Sequence, residues 1–315
     1  MSDQPTRRGM LGWGAATVGA GILAEGRGEE KALEKPFRIA YFTDVHAREE
    51  DSVRRALRKA AEAILAADPD AILGGGDYVH GGIRGSLAQG KQRLEVVEND
   101  FLGPLREGLG NRPMRLMLGN HDLIGAQPED GSSAVEKPKD LFLQAQGLEV
   151  AYQSAEWAGY QMVILDSVEF TGEGEWPYRG IIDDVQMTWL RELAETLPEG
   201  KPMILTTHIP FRTTFFQVSQ GPYVPLAPSL AVENGNKVIE CFAKQDVRMI
   251  LQGHLHFDEH LRVNDFAIRM GGAVCGSWWK GSNLETPPGF LVLDLYPDRI
   301  ESEYVPFGWE AAILT

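Results

Sequence analysis

The sequence predicts an α/β protein on three observations. Apolar strand-like runs alternate with helical patterns in the first part of the chain, and strands follow one another in the last part. Five of the runs end at a turn in a short block of Asp, Asn or His. The hydrophobic fraction, 43% of 315 residues, is enough for a large core.

The elements can be justified in order. Arg38 to Thr43 is an apolar run read as a strand. Asp51 to Ala67 then has helical spacing, with Val53, Leu57, Ala60, Ile64 and Leu65 on one face, and Asp68-Pro69 marks its end. Ala71 to Leu73 is the next strand, residues 86–107 a second helical pattern, and Arg115 to Leu118 a third strand. A third helix starts at Asp183-Asp184, where acidic residues suit an N-terminus, and turns Val185, Met187, Trp189, Leu190, Leu193 and Leu197 inward. Met203 to Thr206 is a strand, Lys237 to Lys244 a helix, and Arg248 to Leu251 another strand. Phe266 to Met270, Phe290 to Leu295 and Ile300 to Val305 complete the set, separated by Gly, Pro and Asp turns. Two loops, 123–139 and 211–236, are long enough to act as lids or specificity walls.

The first 35 residues read differently. Thr6-Arg7-Arg8-Gly9-Met10-Leu11 and the Gly/Ala-rich run from Leu11 to Ala24 look like a bacterial twin-arginine signal peptide, with cleavage near Ala24 to Gly26 or retention as an anchor. The run is short and small-residued for a spanning helix. Residues 25–35, rich in Glu, Gly and Lys, are expected to form a flexible spacer, and 36–315 one domain. The expectation is an exported, extracytoplasmic protein whose partner in transit is the twin-arginine export machinery.

The net charge of −15 argues against duplex nucleic acid or an anionic membrane as a partner. An acidic body does not exclude a phosphate substrate, because bound metal ions dominate the local field. Cys241 and Cys275, the two cysteines, either pair or stand as small buried thiols. Oligomeric state is not readable.

The polar blocks carry the chemistry. They are Asp44-Val45-His46, Gly76-Asp77, Gly119-Asn120-His121-Asp122, His208 and Gly253-His254-Leu255-His256. Carboxylate, imidazole and carboxamide suit borderline divalent ions, and no thiolate is among them. Strands that deliver such groups from their carboxyl ends build one active-site mouth.

In this order the blocks resemble the calcineurin-like metallophosphoesterases. The resemblance implies two packed mixed β-sheets flanked by helices, a four-layer αββα sandwich. It also implies two divalent ions (Mn, Zn, Fe or Co), one held by Asp44, His46 and His256, the other by Asn120, His208 and His254, with Asp77 bridging. A bridging position calls for a carboxylate, whose two oxygens offset two neighbouring cations. Such a pair activates a shared hydroxide for in-line attack on a phosphoester. His121 faces the substrate and either donates a proton to the leaving alkoxide or stabilises the phosphoryl oxygens. Asp122 holds its imidazole in orientation and favours its protonated form.

Further residues have two readings each. His80 is a hydrogen-bond support for a ligand or a loop residue without chemical duty. It stands where purple acid phosphatases carry a ligand tyrosine, and Tyr78 points elsewhere, so no tyrosinate-bound ferric centre is expected. Arg212 is a phosphate contact or a surface arginine. Trp278 and Trp279 wall the pocket or plug the gap between the sheets.

The leading function is metal-dependent hydrolysis of a small phosphomonoester or phosphodiester. A cyclic-nucleotide or other phosphodiesterase is the alternative, and a non-catalytic metal-binding scaffold is the remote one.

Overall fold

In the computed structural model, which describes residues 35–311, β1 (Phe37–Phe42) sets the layering. Ile39 and Tyr41 enter one core cluster and Ala40 and Phe42 another, as the two-residue period of a strand requires. The twin-arginine pattern and most of the spacer lie outside the described residues.

In the first sheet β1 is flanked on one side by β2 (Ala71–Gly74) and β3 (Met114–Leu116), all parallel. On its other side β12 (Gly289–Leu295) and β13 (Ile300–Pro306) run antiparallel as a hairpin. The second sheet has six strands. Its parallel centre is β5 (Tyr160–Ile164), β8 (Pro202–Thr207), β9 (Asp246–Gln252) and β11 (Phe266–Gly271), with β4 (Gln153–Trp157) and β10 (Asp258–Val263) antiparallel at the edges. The sheets face each other through Ile39, Tyr41, Leu73, Leu291 and Leu293 on one side and Met162, Ile164, Ile204 and Leu251 on the other. The outer faces carry the helices. Val53, Leu57, Ala60 and Ile64 of α1 (Asp51–Ala66) share a core with Ala40 and Phe42, so Leu57→Ala costs about 2–5 kcal/mol. The expected αββα sandwich is the observed fold.

Three readings need correction. The pattern at 86–107 is not one helix but α2 (Leu87–Val97), a π-helical turn at Glu98–Leu102 and α3 (Gly103–Leu109). Pro104 has no N–H to return to Asp100, which breaks the ladder there. On α4 (Asp184–Thr196), Val185 is 70% exposed rather than inward. Gln186 takes the buried place, because its amide bonds both the N–H (3.0 Å) and the carbonyl (2.8 Å) of Asp166. The hairpin β4–β5 also went unread, as did the short hairpin of β6 (Val168–Phe170) and β7 (Tyr178–Gly180).

Candidate metal centre

Five connections at the carboxyl ends of β1, β2, β3, β8 and β9 bring the expected ligand residues to one place. His46 Nε2 lies 3.1 Å from His256 Nε2, which lies 3.2 Å from Asp44 Oδ1. His208 Nε2 lies 3.0 Å from Asn120 Oδ1. Between the two groups sits Asp77, whose Oδ2 is 3.5 Å from His46 Nε2 and 3.3 Å from His208 Nε2. The His254 ring stands edge-on to His208, 5.2 Å between centroids, and its Nε2 faces the Ser229 carbonyl at 3.1 Å.

The backbone here is strained. Asp44, His46, Asp77, His254 and His256 all have φ between +46° and +78°, at roughly 1–3 kcal/mol each. Hydrogen bonds across the loops hold them: Asp44 N–H donates to Gly76 O, His46 N–H to Asp77 O, and His254 N–H to Asp44 Oδ2. Gly76 has φ +96°, and a Cβ on it would lie 2.7 Å from His208 Nδ1. A Cβ on Gly119 would overlap the Asp77 carboxylate. Both positions need glycine.

The donor set fits a cation. His208 Nδ1 faces the Gly75 carbonyl at 2.8 Å, so Nδ1 carries the hydrogen and the Nε2 lone pair points at Asn120 Oδ1 and Asp77 Oδ2. His256 is tied in the same way, through Nδ1 to Gly276 O at 2.8 Å, which aims its Nε2 at His46 and Asp44. Lone pairs facing lone pairs in a buried site need a positive charge between them, a proton or a metal ion. Asp44 Oδ1 and His46 Nδ1 have no hydrogen-bond partner. Three groups could each hold an ion, with one atom per residue within 4.8 Å: Asp77, His208 and His254; His46, Asp77 and His121; and His46, His256 and Cys275.

Without an ion the charges respond to each other. Burial pushes His208 down, but the charge and hydrogen bond of Asp77, with Asp44 behind, hold it at about 9. His256 is likewise lowered by burial and carried well above its ordinary value by its Cys275 and Asp44 contacts. Burial alone would raise Asp77 and Asp44, yet the histidines hold both carboxyls below the ordinary range. Burial and the His208 charge bring His254 down to about 4.

Around these ligands the expected roles divide. Asp122 makes no hydrogen bond to the His121 ring. Its carboxylate accepts the backbone N–H groups of Asp77 (2.8 Å), Tyr78 (2.9 Å) and Gly119 (2.8 Å), so it fixes the loops that carry Asp77 and Asn120. The His121 ring is oriented by Gly81, whose N–H donates to Nδ1 at 3.0 Å. Its protonated form is not favoured either: burial, resisted by Asp77 but helped by His46 and His80, takes it to about 3. The N–H of His121 donates to Asp77 Oδ1 at 2.7 Å, so a single oxygen, Oδ2, and not both, faces the two sets of ligands.

His80 packs edge-on to His46 at 6.1 Å and its Nδ1 has no partner; it hydrogen-bonds no ligand. Tyr78 stacks on Phe142 at 5.5 Å, away from the ligands. Arg212 is not at the site, since its guanidinium donates to Asn236 Oδ1 at 2.7 Å and lies over Phe266. The tryptophans divide. Trp278, 36% exposed, lies 4.3 Å from the His46 ring and 4.7 Å from the His256 ring. Trp279 is buried, donates its indole N–H to the His46 carbonyl at 2.9 Å and packs on Trp309. Cys241 and Cys275 do not pair.

A cavity of about 440 Å³ opens over the ligands. Its floor includes Asp77, Asn120, His121, His254 and His256, with His80 and Gly81 beside them. Its walls are Trp176, Tyr178, Ala227, Ser229, Leu230 and Trp278. The loop 211–236 therefore does form a wall, whereas 123–139 contributes nothing to the cavity. That segment hydrogen-bonds back onto Gly82, Ile83 and Arg84 instead. Trp176, Tyr178 and Cys275 were missed. The only sequence signal for Trp176 is an aromatic among the glycines of 171–177.

Comparison with known proteins follows the same lines. The calcineurin-like phosphoesterase family profile matches residues 37–258. A "probable cyclic nucleotide phosphodiesterase" of Rhodococcus erythropolis is 25% identical over an alignment of 267 residues that covers 80% of this chain and 75% of the relative. A dimetal phosphatase from Danio rerio superposes with a TM-score of 0.61 at 15% identity, covering 88% of this chain and 98% of that one. GAP50, described as the anchor in the inner membrane complex of Plasmodium, superposes with a TM-score of 0.52 at 14% identity, over 89% and 87% of the two chains. At these identities the superpositions speak for the fold alone.

Proposed function

The chain belongs to the calcineurin-like phosphoesterase family and is a metal-dependent phosphoester hydrolase, and on that premise we propose that it works with two divalent ions. Asp44, His46 and His256 would hold one, Asn120, His208 and His254 the other, and Asp77 Oδ2 would serve both. The observation that carries this is the position of that oxygen, 3.5 Å from His46 Nε2 and 3.3 Å from His208 Nε2. Bound there, the ions supply Lewis acidity toward the phosphoryl group and a lowered pKa for water. Mn, Zn, Fe and Co all suit the donor set.

The protein's own residues do the rest. Gly81 N–H occupies His121 Nδ1, so the ring hydrogen sits on Nε2. The neutral imidazole can then donate a hydrogen bond to a phosphoryl oxygen, and its negative charge in the transition state strengthens that bond. This favours stabilisation of the phosphoryl oxygens over proton delivery to the leaving group. Asp122 and Gly76 hold the ligand loops at the required backbone angles.

A cyclic-nucleotide phosphodiesterase is a second reading, supported by the Rhodococcus erythropolis relative. The twin-arginine pattern at Arg7-Arg8 supports an exported enzyme, for which nutrient phosphate release or turnover of envelope phosphoesters fits better. Cell fractionation tests that location. The activity is tested with metal-stripped protein re-supplied singly with Mn, Zn, Fe or Co, on p-nitrophenyl phosphate and bis-p-nitrophenyl phosphate. Metal-restored turnover is expected, and equal turnover with and without metal would reject the mechanism.

A further inference from the structure

We propose that Trp176 and Trp278 form an apolar clasp selecting phosphodiesters with an aromatic or bulky apolar arm; the proposal deepens the hydrolase reading and rests on it. The cavity above the ligands is walled by Trp176, Tyr178, Leu230 and Trp278, and no lysine or arginine lines it among the described residues. A phosphomonoester brings close to two negative charges at neutral pH. The ions would offset charge at the phosphoryl group itself, but no lysine or arginine among the lining residues adds to them for the second charge. A diester brings one charge and replaces the other with an alcohol that the walls can cover.

The two tryptophans are placed for this, from different parts of the chain. Trp278 is held at φ +54° in a turn tied by Ser277 N–H to Gly281 O (2.8 Å) and Trp279 N–H to Cys275 O (2.8 Å). That turn lays its indole against the His46 and His256 rings while leaving 36% of the residue exposed. Trp176 comes from the turn between β6 and β7, held by the Arg84 guanidinium on Glu175 O at 2.6 Å, and is 58% exposed. A large aromatic surface left uncovered at a cavity mouth is the kind a flat or apolar group covers on binding. Both side chains keep this surface open, in contrast to the buried, hydrogen-bonded Trp279.

The test is equilibrium binding to the metal-loaded protein, read by tryptophan fluorescence, of diphenyl, dimethyl and phenyl phosphate. Diphenyl phosphate should bind about tenfold or more tighter than either of the others. In Trp176→Ala, on an exposed turn, its preference over dimethyl phosphate should fall to about twofold, and Trp278→Leu should do the same. Equal binding of the two diesters, tighter binding of phenyl phosphate, or an unchanged preference in Trp176→Ala would overturn the clasp. Turnover of bis-p-nitrophenyl phosphate separates the two claims. Metal-restored turnover with no aromatic preference rejects the clasp alone, and aromatic preference without any metal-restored turnover rejects the hydrolase reading beneath it.

Discussion

The backbone N–H of Asp77 donates to the Asp122 carboxylate at 2.8 Å, and two further N–H groups, from Tyr78 and Gly119, share that acceptor. Asp122 is therefore a clamp on the ligand loops. Asp122→Ala leaves three buried donors unpaired, at about 1–3 kcal/mol each if none finds water. Stability should fall by about 3 kcal/mol or more, and metal content should fall with it. Denaturant melts and metal analysis check this. A variant with native stability and full metal that loses only turnover would return Asp122 to a role on His121.

His121→Ala should keep its metal and lose about 10²–10³ in kcat, the scale of one donor aimed at developing charge. Because the neutral ring donates from Nε2, the loss should be similar for good and poor leaving groups. A loss that grows with leaving-group pKa would mark proton delivery instead. A drop in metal content would place His121 with His46 and Asp77 as a ligand.

The metal-stripped protein should lose stability as pH rises from about 6.5 to about 9. His208 is carried from 6.5 to about 9 in the fold. A raised folded value means that its stabilisation is complete below 6.5 and is lost as pH climbs through the folded value. His256, also raised, acts in the same direction. His46, His80, His121 and His254 are lowered, so their contributions change below 6.5 and do not mask the effect. Thermal melts across this range check it. A flat profile would show that no shared proton replaces the metal.

Arg212→Ala should change kcat/KM by less than about twofold, because the guanidinium is spent on Asn236 and Phe266 outside the cavity. Trp279→Phe removes the hydrogen bond to the His46 carbonyl and should cost about 1 kcal/mol of stability. A tenfold loss of turnover in Arg212→Ala would show that the arginine swings into the site.

The ligand blocks were legible because each is local: a strand end, a turn and one or two polar residues in fixed order. What was misread depended on contacts between distant segments. Asp122 follows His121 in the chain, but the tight turn at Asn120–Asp122 sends its carboxylate back to Gly119 and across to Asp77. Val185 sits at the apolar spacing of α4, yet Gln186 wins the buried place through Asp166, a partner outside the helix. Consecutive Trp278 and Trp279 look alike in sequence; left-handed angles at both send one over the ligands and the other into the core. Trp176 had no periodic signal, since β6 and β7 are three residues each.

The most direct test of the two-metal account is the metal content of the wild type and Asp77→Asn, each stripped and reloaded, by native mass spectrometry. Two ions per wild-type chain and loss of both in Asp77→Asn, with turnover lost in parallel, are expected, because Asp77 Oδ2 is the atom that faces both ligand sets. A wild type that binds no ion, or an Asp77→Asn variant that keeps two ions and near-normal turnover, would contradict it.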